Sequence, residues 1–264
     1  MSLTLQEREG VFITVGAGAG GVDLTPLLVQ LAAPVAIVFN VDWSIDYDDG
    51  MPANAGELAA DVGVQTEVQK LVDGRELLVM ASADLPAFFD GWRRFGPRNV
   101  DVLDWPAPPT ATELGEAVAA VDPPESQQRR FLRRGHKRRL RSPVLSSLAR
   151  PTFHYHGHDD YYFGLESRTD RLARLVLRRL IALEAGSAWK RQSVTVPDPG
   201  DDVVARLLDD SHKWTSNLSD STPESVTIAL TARGARGGRS SLKPSYVAIF
   251  HIPSQEWELL RVVT

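Results

Sequence analysis

Three of the six histidines in this 264-residue chain lie at alternate positions of the segment TFHYHGHDDYYFGLE, residues 152–166. In an extended strand, alternate side chains point to one face, so His154, His156 and His158 would lie side by side. Imidazoles at that spacing can share a divalent metal, with Asp159 or Asp160 completing the set. One hypothesis is therefore a histidine-metal hydrolase whose metal ligands are His154, His156, His158 and Asp160.

The same segment also predicts a β-hairpin with its turn near residues 157–160. In that interpretation Phe153 and Tyr155 pack inward, and the histidines face solvent without binding a metal.

A second candidate site is the glycine-rich segment within residues 10–43. Residues 11–15 predict a buried strand, residues 24–33 a helix and residues 35–41 a second strand. The glycines between them contain the pattern G-x-G-x-x-G, whose backbone amides can approach a phosphate beside the start of a helix. Asp42 follows the second strand, where dinucleotide folds place an acid that binds ribose. The predicted nucleotide-binding residues are Gly16, Gly18, Gly20, Gly21 and Asp42.

The alternative for this segment is a tight strand-to-helix connection. Asp23 or Thr25 would then cap the helix, and the predicted helix starts after the glycine pattern instead of inside it.

These elements must be positioned by a fold, and their order predicts its class. Strand, helix and strand form a βαβ unit, which implies parallel pairing and a layered α/β N-terminal half, with a further helix at residues 57–72. For the C-terminal half, the pattern predicts the hairpin, helices at 168–185 and 201–212, a polar loop at 214–223, and strands at 225–232, 246–252 and 256–263. We therefore expect an α/β half followed by an α+β half with antiparallel strands.

Charge divides the chain in a similar way. The net charge of −5 combines −13 for residues 1–124, with six basic and 19 acidic residues, and +8 for residues 125–264, with 23 and 15. Prolines cluster between residues 106 and 124, as linkers often do. The predicted division is an acidic half at 1–105, a proline-bracketed linker with a basic segment at 106–142, and a basic half at 143–264.

The basic residues predict a surface for an acidic partner, either nucleic acid or protein. Eight of the thirteen residues from 129 to 141 are basic, and they lie nearly all the way round any helix. A stripe on the 168–185 helix and the RGARGGRSSLK connection would extend this surface. Internal neutralisation by the acidic half is the alternative. The predicted contacts are Arg129, Arg130, Arg133, Arg134, Lys137, Arg138, Arg139, Arg171, Arg174, Arg178, Arg236 and Arg239.

Composition excludes several classes of function. The chain contains no cysteine, so disulfides, thiolate metal sites and cysteine nucleophiles are excluded. It has no membrane-length apolar run and no signal-peptide pattern at its start, so we expect a cytoplasmic protein without membrane contact. No nucleophile elbow, P-loop, zincin helix or kinase signature is present, so the sequence does not decide whether the protein is an enzyme.

The leading expectation is a non-catalytic binding protein that uses the basic surface. A nucleotide-binding enzyme or sensor and a histidine-metal hydrolase are the alternatives. The oligomeric state is not predicted.

Overall fold

A single antiparallel sheet dominates the structure. The computed structural model describes residues 2–17, 28–30, 32–43, 52–71, 76–95, 97–122, 142–158, 162–188, 196–210, 213–232 and 246–262. Their strands form one sheet in the order β12-β11-β10-β9-β1-β2-β8-β7-β6-β3-β5-β4. The strands are β1 Ser2–Arg8, β2 Val11–Ala17, β3 Val35–Trp43, β4 Thr66–Lys70, β5 Glu76–Ala81, β6 Pro97–Trp105, β7 Phe153–His158, β8 Tyr162–Ser167, β9 Lys213–Ser221, β10 Ser225–Ala232, β11 Tyr246–His251 and β12 Glu256–Arg261.

Within the described residues, five helices of seven residues or more pack on this sheet. They are α1 Ala55–Asp61, α2 Leu85–Arg93, α3 Ala111–Val121, α4 Asp170–Ala188 and α5 Asp201–Asp210. Short 3₁₀ turns occupy Ser82–Asp84 and Val144–Ser147, and residues 28–30 are helical. None of the helices in these described ranges is both long enough and apolar enough to cross a membrane.

The predicted α/β class is wrong. Every strand pair in the described residues is antiparallel, and β2 and β3 are not neighbours. Four antiparallel steps separate them, so they run in the same direction with β8, β7 and β6 between them. An apolar run bounded by glycines indicates a buried strand, but it does not indicate which strand lies beside it.

The N-terminal hairpin shows what the sequence did not reveal. β1 pairs with β2 through a two-residue turn in which both Glu9 and Gly10 have positive φ, at 54° and 73°. That conformation belongs to the type I′ turn, which usually carries Asn-Gly or Asp-Gly. Glu-Gly is a weaker signal, so the sequence did not predict β1.

Two other elements differ from expectation. The helix predicted at 57–72 ends at Asp61, because Gly63 adopts a φ of 73° and the chain then turns into β4. The loop predicted at 214–223 is largely strand β9. The antiparallel strands predicted near the C-terminus are confirmed as β10, β11 and β12.

The sheet is continuous across both predicted halves. β1 and β2, from the first half, lie between β9 and β8, from the second. The division at residues 106–142 stays a prediction. The sequence between its prolines also predicts a short helix at residues 113–121, and this helix is present as α3.

The sheet is covered on both faces. On one face α1, α2, α4 and α5 bury a large core that includes Phe88, Phe89, Trp92 and Ile181. The other face, which we call the α3 face, is covered by α3 and by the 3₁₀ turn Val144–Ser147. They pack on Ile37, Phe39 and Leu103. Alternate residues of a strand point to opposite faces, so β6 and β7 each contribute to both layers.

Candidate functional site

A buried carboxylate on the α3 face joins two of the sequence-predicted histidines. Asp101 lies in β6 and is 3% exposed. Its Oδ1 accepts hydrogen bonds from His154 Nε2 at 2.8 Å and from His156 Nδ1 at 3.0 Å, both on the neighbouring strand β7. A carboxylate oxygen can only accept when ionised, so each imidazole donates the nitrogen that faces Asp101.

Asn40 holds the second oxygen of this carboxylate. Its Nδ2 donates to Asp101 Oδ2 at 2.8 Å. Asn40 has a φ of 53° and lies where the β3–β6 register shifts between Phe39 and Asp42. A bulge of this kind redirects a side chain, and asparagine tolerates the left-handed conformation better than most residues. The irregularity therefore brings a donor onto Asp101 from a third strand.

These contacts determine the charges of the cluster. Burial alone would favour the neutral form of Asp101, but the hydrogen bonds from His154 and His156 outweigh it and hold the pKa of Asp101 well below its ordinary value. The hydrogen bond to Asp101 raises the pKa of His156, against the opposing effect of partial burial. An ionised carboxylate thus faces an imidazole that it makes more basic.

The two histidines differ in their access to solvent, and the strand register explains why. His154 shares a row with Glu166 and Leu103, under the 3₁₀ turn, where Leu145 N donates to Glu166 Oε2 at 2.9 Å. His156 lies one row further along, beyond that cover. The side chain of His154 is 8% exposed and that of His156 is 43% exposed. Because Asp101 occupies Nδ1 of His156, Nε2 is the nitrogen that a ligand can reach.

An opening lies beside His156 on the same face. Gly164 of β8 pairs directly with His156 on one side and with Val15 of β2 on the other. A Cβ built on Gly164 would meet no heavy atom of the described residues within 4 Å. Val15, beyond it, is 46% exposed. We call this opening, with Gly164 as its floor and His156 and Val15 as its sides, the Gly164 gap.

The next row brings further polar residues to the ends of the strands. Asp42 pairs with Asn99, and Asn99 pairs with His158. Asp42 and His158 are exposed. Trp92 fixes the backbone there, since its Nε1 donates to Asp42 O at 3.2 Å. The site therefore lies near one end of the central strands.

The predicted metal ligands have the arrangement expected of them only in part. His154, His156 and His158 do lie on one face of β7, inside the predicted hairpin of β7 and β8. Phe153 and Tyr155 pack inward as predicted, but His154 is buried against Asp101 and does not face solvent. Asp160 lies outside the described residues, which contain no group of three side chains placed to hold a metal ion. The metal site stays a prediction.

The structure brings the predicted nucleotide-binding residues together even less than the predicted metal ligands. Gly16 lies within β2 and not in a turn, and a Cβ there would lie 2.2 Å from Cε1 of Phe163. Asp42 is the penultimate residue of β3, which is four strands away from β2. Gly18, Gly20 and Gly21 are outside the described residues, so this site also stays a prediction.

Of the predicted basic contacts, only Arg171, Arg174 and Arg178 of α4 lie within the described residues. Arg171 is exposed. Arg174 Nε binds Asp170 Oδ2 at 2.9 Å, and Arg178 binds Asp201 Oδ1 at 2.9 Å and Pro199 O at 2.6 Å. The remaining predicted contacts lie outside the described residues: Arg129, Arg130, Arg133, Arg134, Lys137, Arg138, Arg139, Arg236 and Arg239.

Sequence reasoning missed Asp101 and Asn40. The available signal was Asp101 itself, an acid inside the apolar alternation Val100–Leu103, where a buried strand residue needs a polar partner. Nothing in the sequence paired Asp101 with histidines 53 and 55 positions away.

Comparison with protein-family models, with curated proteins and with solved structures finds no match for this chain.

Proposed function

We propose that the protein is a hydrolytic enzyme in which His156, held by Asp101, acts as general base at the Gly164 gap. One observation carries this proposal: a buried carboxylate binds two imidazoles, of which one is buried and the other is 43% exposed. In carboxylate–histidine catalytic pairs, the carboxylate likewise binds one ring nitrogen and so orients the imidazole that acts as base.

The geometry fixes the tautomer of His156. Because Nδ1 donates to Asp101, a neutral ring carries its lone pair on Nε2, the ring nitrogen that Asp101 does not occupy. A water or hydroxyl bound there can give its proton to Nε2 as it attacks a substrate. Asp101 then stabilises the imidazolium that forms.

His154 and Asn40 act on the carboxylate and not on the substrate. They hold Oδ1 and Oδ2 from two neighbouring strands, so Asp101 has a single orientation. A fixed carboxylate is what a pre-organised base requires, because reorientation during reaction would raise the barrier.

The test compares two histidine variants over a panel of chromogenic carboxylic esters, phosphate esters and amides. His156→Gln removes the base, and we expect it to lower kcat/KM by about 10²- to 10⁴-fold. His251→Gln is the matched control, because His251 is also half-exposed and binds a carboxylate, Glu258, at 3.2 Å, but lies in β11. The control should keep wild-type activity.

The pH dependence gives a second measurement. A general base works only when neutral, so activity falls as pH drops through the pKa of His156. Since Asp101 raises that pKa, this loss should begin above the ordinary value of 6.5.

Each assay is repeated with a chelator, because a carboxylate-bound histidine is also typical of metal ligands. Absence of turnover across the panel, or full activity in His156→Gln, would contradict the proposal.

A further inference from the structure

The exposed valine beside the candidate base is unusual for its position in the sheet. Among the described residues, the exposed large apolar side chains are Val15, Val68 and Leu260. Val68 and Leu260 belong to β4 and β12, the two outermost strands, where exposure is ordinary. Val15 belongs to β2, which has a neighbour on each side.

The spacing of the strands sets the width of the opening beside Val15. Val15, Gly164 and His156 lie opposite one another on three successive strands. Neighbouring strands are about 4.8 Å apart, so the Cα atoms of Val15 and His156 are separated by roughly 10 Å. Glycine supplies no side chain to fill that space, and directly paired residues point to the same face.

The two sides of the opening have complementary chemistry. Val15 offers an apolar surface, and burying it against a ligand removes that surface from water. His156 lies on the opposite side, across Gly164, and carries the ring nitrogen Nε2. A ligand that satisfies both carries a hydroxyl or ester oxygen at one end and an apolar group at the other.

We propose that the Gly164 gap binds the apolar group of the substrate against Val15 and places its ester or hydroxyl oxygen at His156. The substrate class is therefore an ester or alcohol with an unbranched aliphatic group. The reactivity of such a substrate rests on the proposed function, but its binding does not.

The test measures binding without turnover. Linear alcohols from ethanol to hexanol are added to the whole protein, and NMR follows the Val15 methyl groups and the His156 ring. We expect both sets of signals to shift, with affinity rising about threefold to fourfold for each added methylene that is buried. Gly164→Val fills the gap and should abolish binding.

Val15→Ser is the second variant, and Val68→Ser is its control, since the two valines are similarly exposed at 46% and 41%. Val15→Ser should lower hexanol affinity several-fold, and Val68→Ser should leave it unchanged. An affinity independent of chain length, or unaffected by Val15→Ser, overturns the inference.

The outcomes separate the two proposals. If the alcohols bind with the expected length dependence but His156-dependent turnover is absent, the gap remains an apolar binding site and the proposed catalysis fails. If turnover depends on His156 but alcohol length has no effect, catalysis stands and the aliphatic substrate class is wrong.

Discussion

At the scale of single residues, Asp101 and Asp104 show how two buried acids of one strand take different roles. Asp104 is fully buried and accepts from Thr152 N at 2.7 Å, Phe153 N at 2.9 Å and Ala33 N at 2.9 Å, and also from the Thr152 hydroxyl. Its partners are mostly backbone amides, so it anchors the chain. Two of the three side chains bound to Asp101 are imidazoles, which can gain and lose protons, and for that reason we place the chemistry there.

Asp101 should make stability depend on pH in a defined direction. Its pKa is lowered by folding, so it stabilises the native state above its ordinary value of 3.8, and that contribution is lost as pH falls below it. Asp101→Asn leaves His154 and Asn40 without a charged acceptor, and we expect it to cost about 3 kcal/mol near neutral pH.

Urea unfolding of the two proteins at a series of pH values measures this difference. It should be largest at about pH 5. It should decline as pH rises above about 6.5, because His156 then loses the proton that Asp101 stabilises. It should also shrink below about pH 4, because the unfolded chain then binds a proton at Asp101 that the folded protein does not. A difference that stays unchanged at the acid end would show that the carboxylate is not ionised in the folded protein.

The residue types of this site were visible in the sequence, but its geometry was not. Alternation placed the three histidines on one face of a strand, and the structure agrees. Asp101 binds two of them, His154 and His156, only because β6 pairs with β7 in one register. A shift by one residue would move the Asp101 side chain to the other face. No local signal specifies that register.

At the scale of elements, the pairing of β2 with β8 requires a glycine at position 16 but not at position 164. Gly16 pairs with Phe163, whose ring lies where a side chain would go, and Gly164 pairs with Val15 above open space. The two glycines lie one row apart in adjacent strands and point to opposite faces.

Exchanging each glycine for alanine should therefore give opposite results. Gly16→Ala places a methyl group 2.2 Å from Phe163 Cε1, and we expect a loss of about 2 kcal/mol. Gly164→Ala, the matched control, should be neutral or slightly stabilising, because it restricts the unfolded chain without a clash. Urea midpoints with unchanged slopes measure both. Equal destabilisation by the two substitutions would contradict the packing of Phe163 on Gly16.

Elements with strong local signals were predictable, and those defined by distant partners were not. The helix α3 begins with a capping box between Thr110 and Glu113. The helix predicted from the sequence lies close to the position of α3 in the structure. The strand β9 has the polar sequence KWTSNLSDS and forms because β1 and β10 lie beside it. Polar strands of that kind carry no hydrophobic alternation to predict them.

At the scale of the whole molecule, the sheet order brings separate parts of the chain to one place. Ala17, His158 and Asp42 lie along one row, connected through Tyr162 and Asn99. Strands β2, β3 and β7 thus end together, next to the row that holds His156. A site at this end can draw on segments far apart in sequence, as functional sites on rigid scaffolds often do.

The same order predicts how the molecule unfolds. The N-terminal strands β1, β2 and β6 supply partners to β9, β8 and β7, so neither sequence half contains a complete sheet. A fragment of residues 143–264 would expose the strand edges that these partners cover, and those edges would lose their hydrogen bonds. We expect the fragment to be unfolded alone and the whole chain to unfold in a single urea transition.

The experiment compares three proteins by circular dichroism and NMR dispersion: the whole chain, the fragment 143–264, and a whole chain cut at a protease site inserted between residues 123 and 141. The cut protein is the control, because it keeps every strand while breaking the connection. It should stay folded as a complex of its two pieces, with both pieces melting together. A dispersed spectrum from the isolated fragment would instead establish residues 143–264 as an independent domain, as the charge division of the sequence suggests.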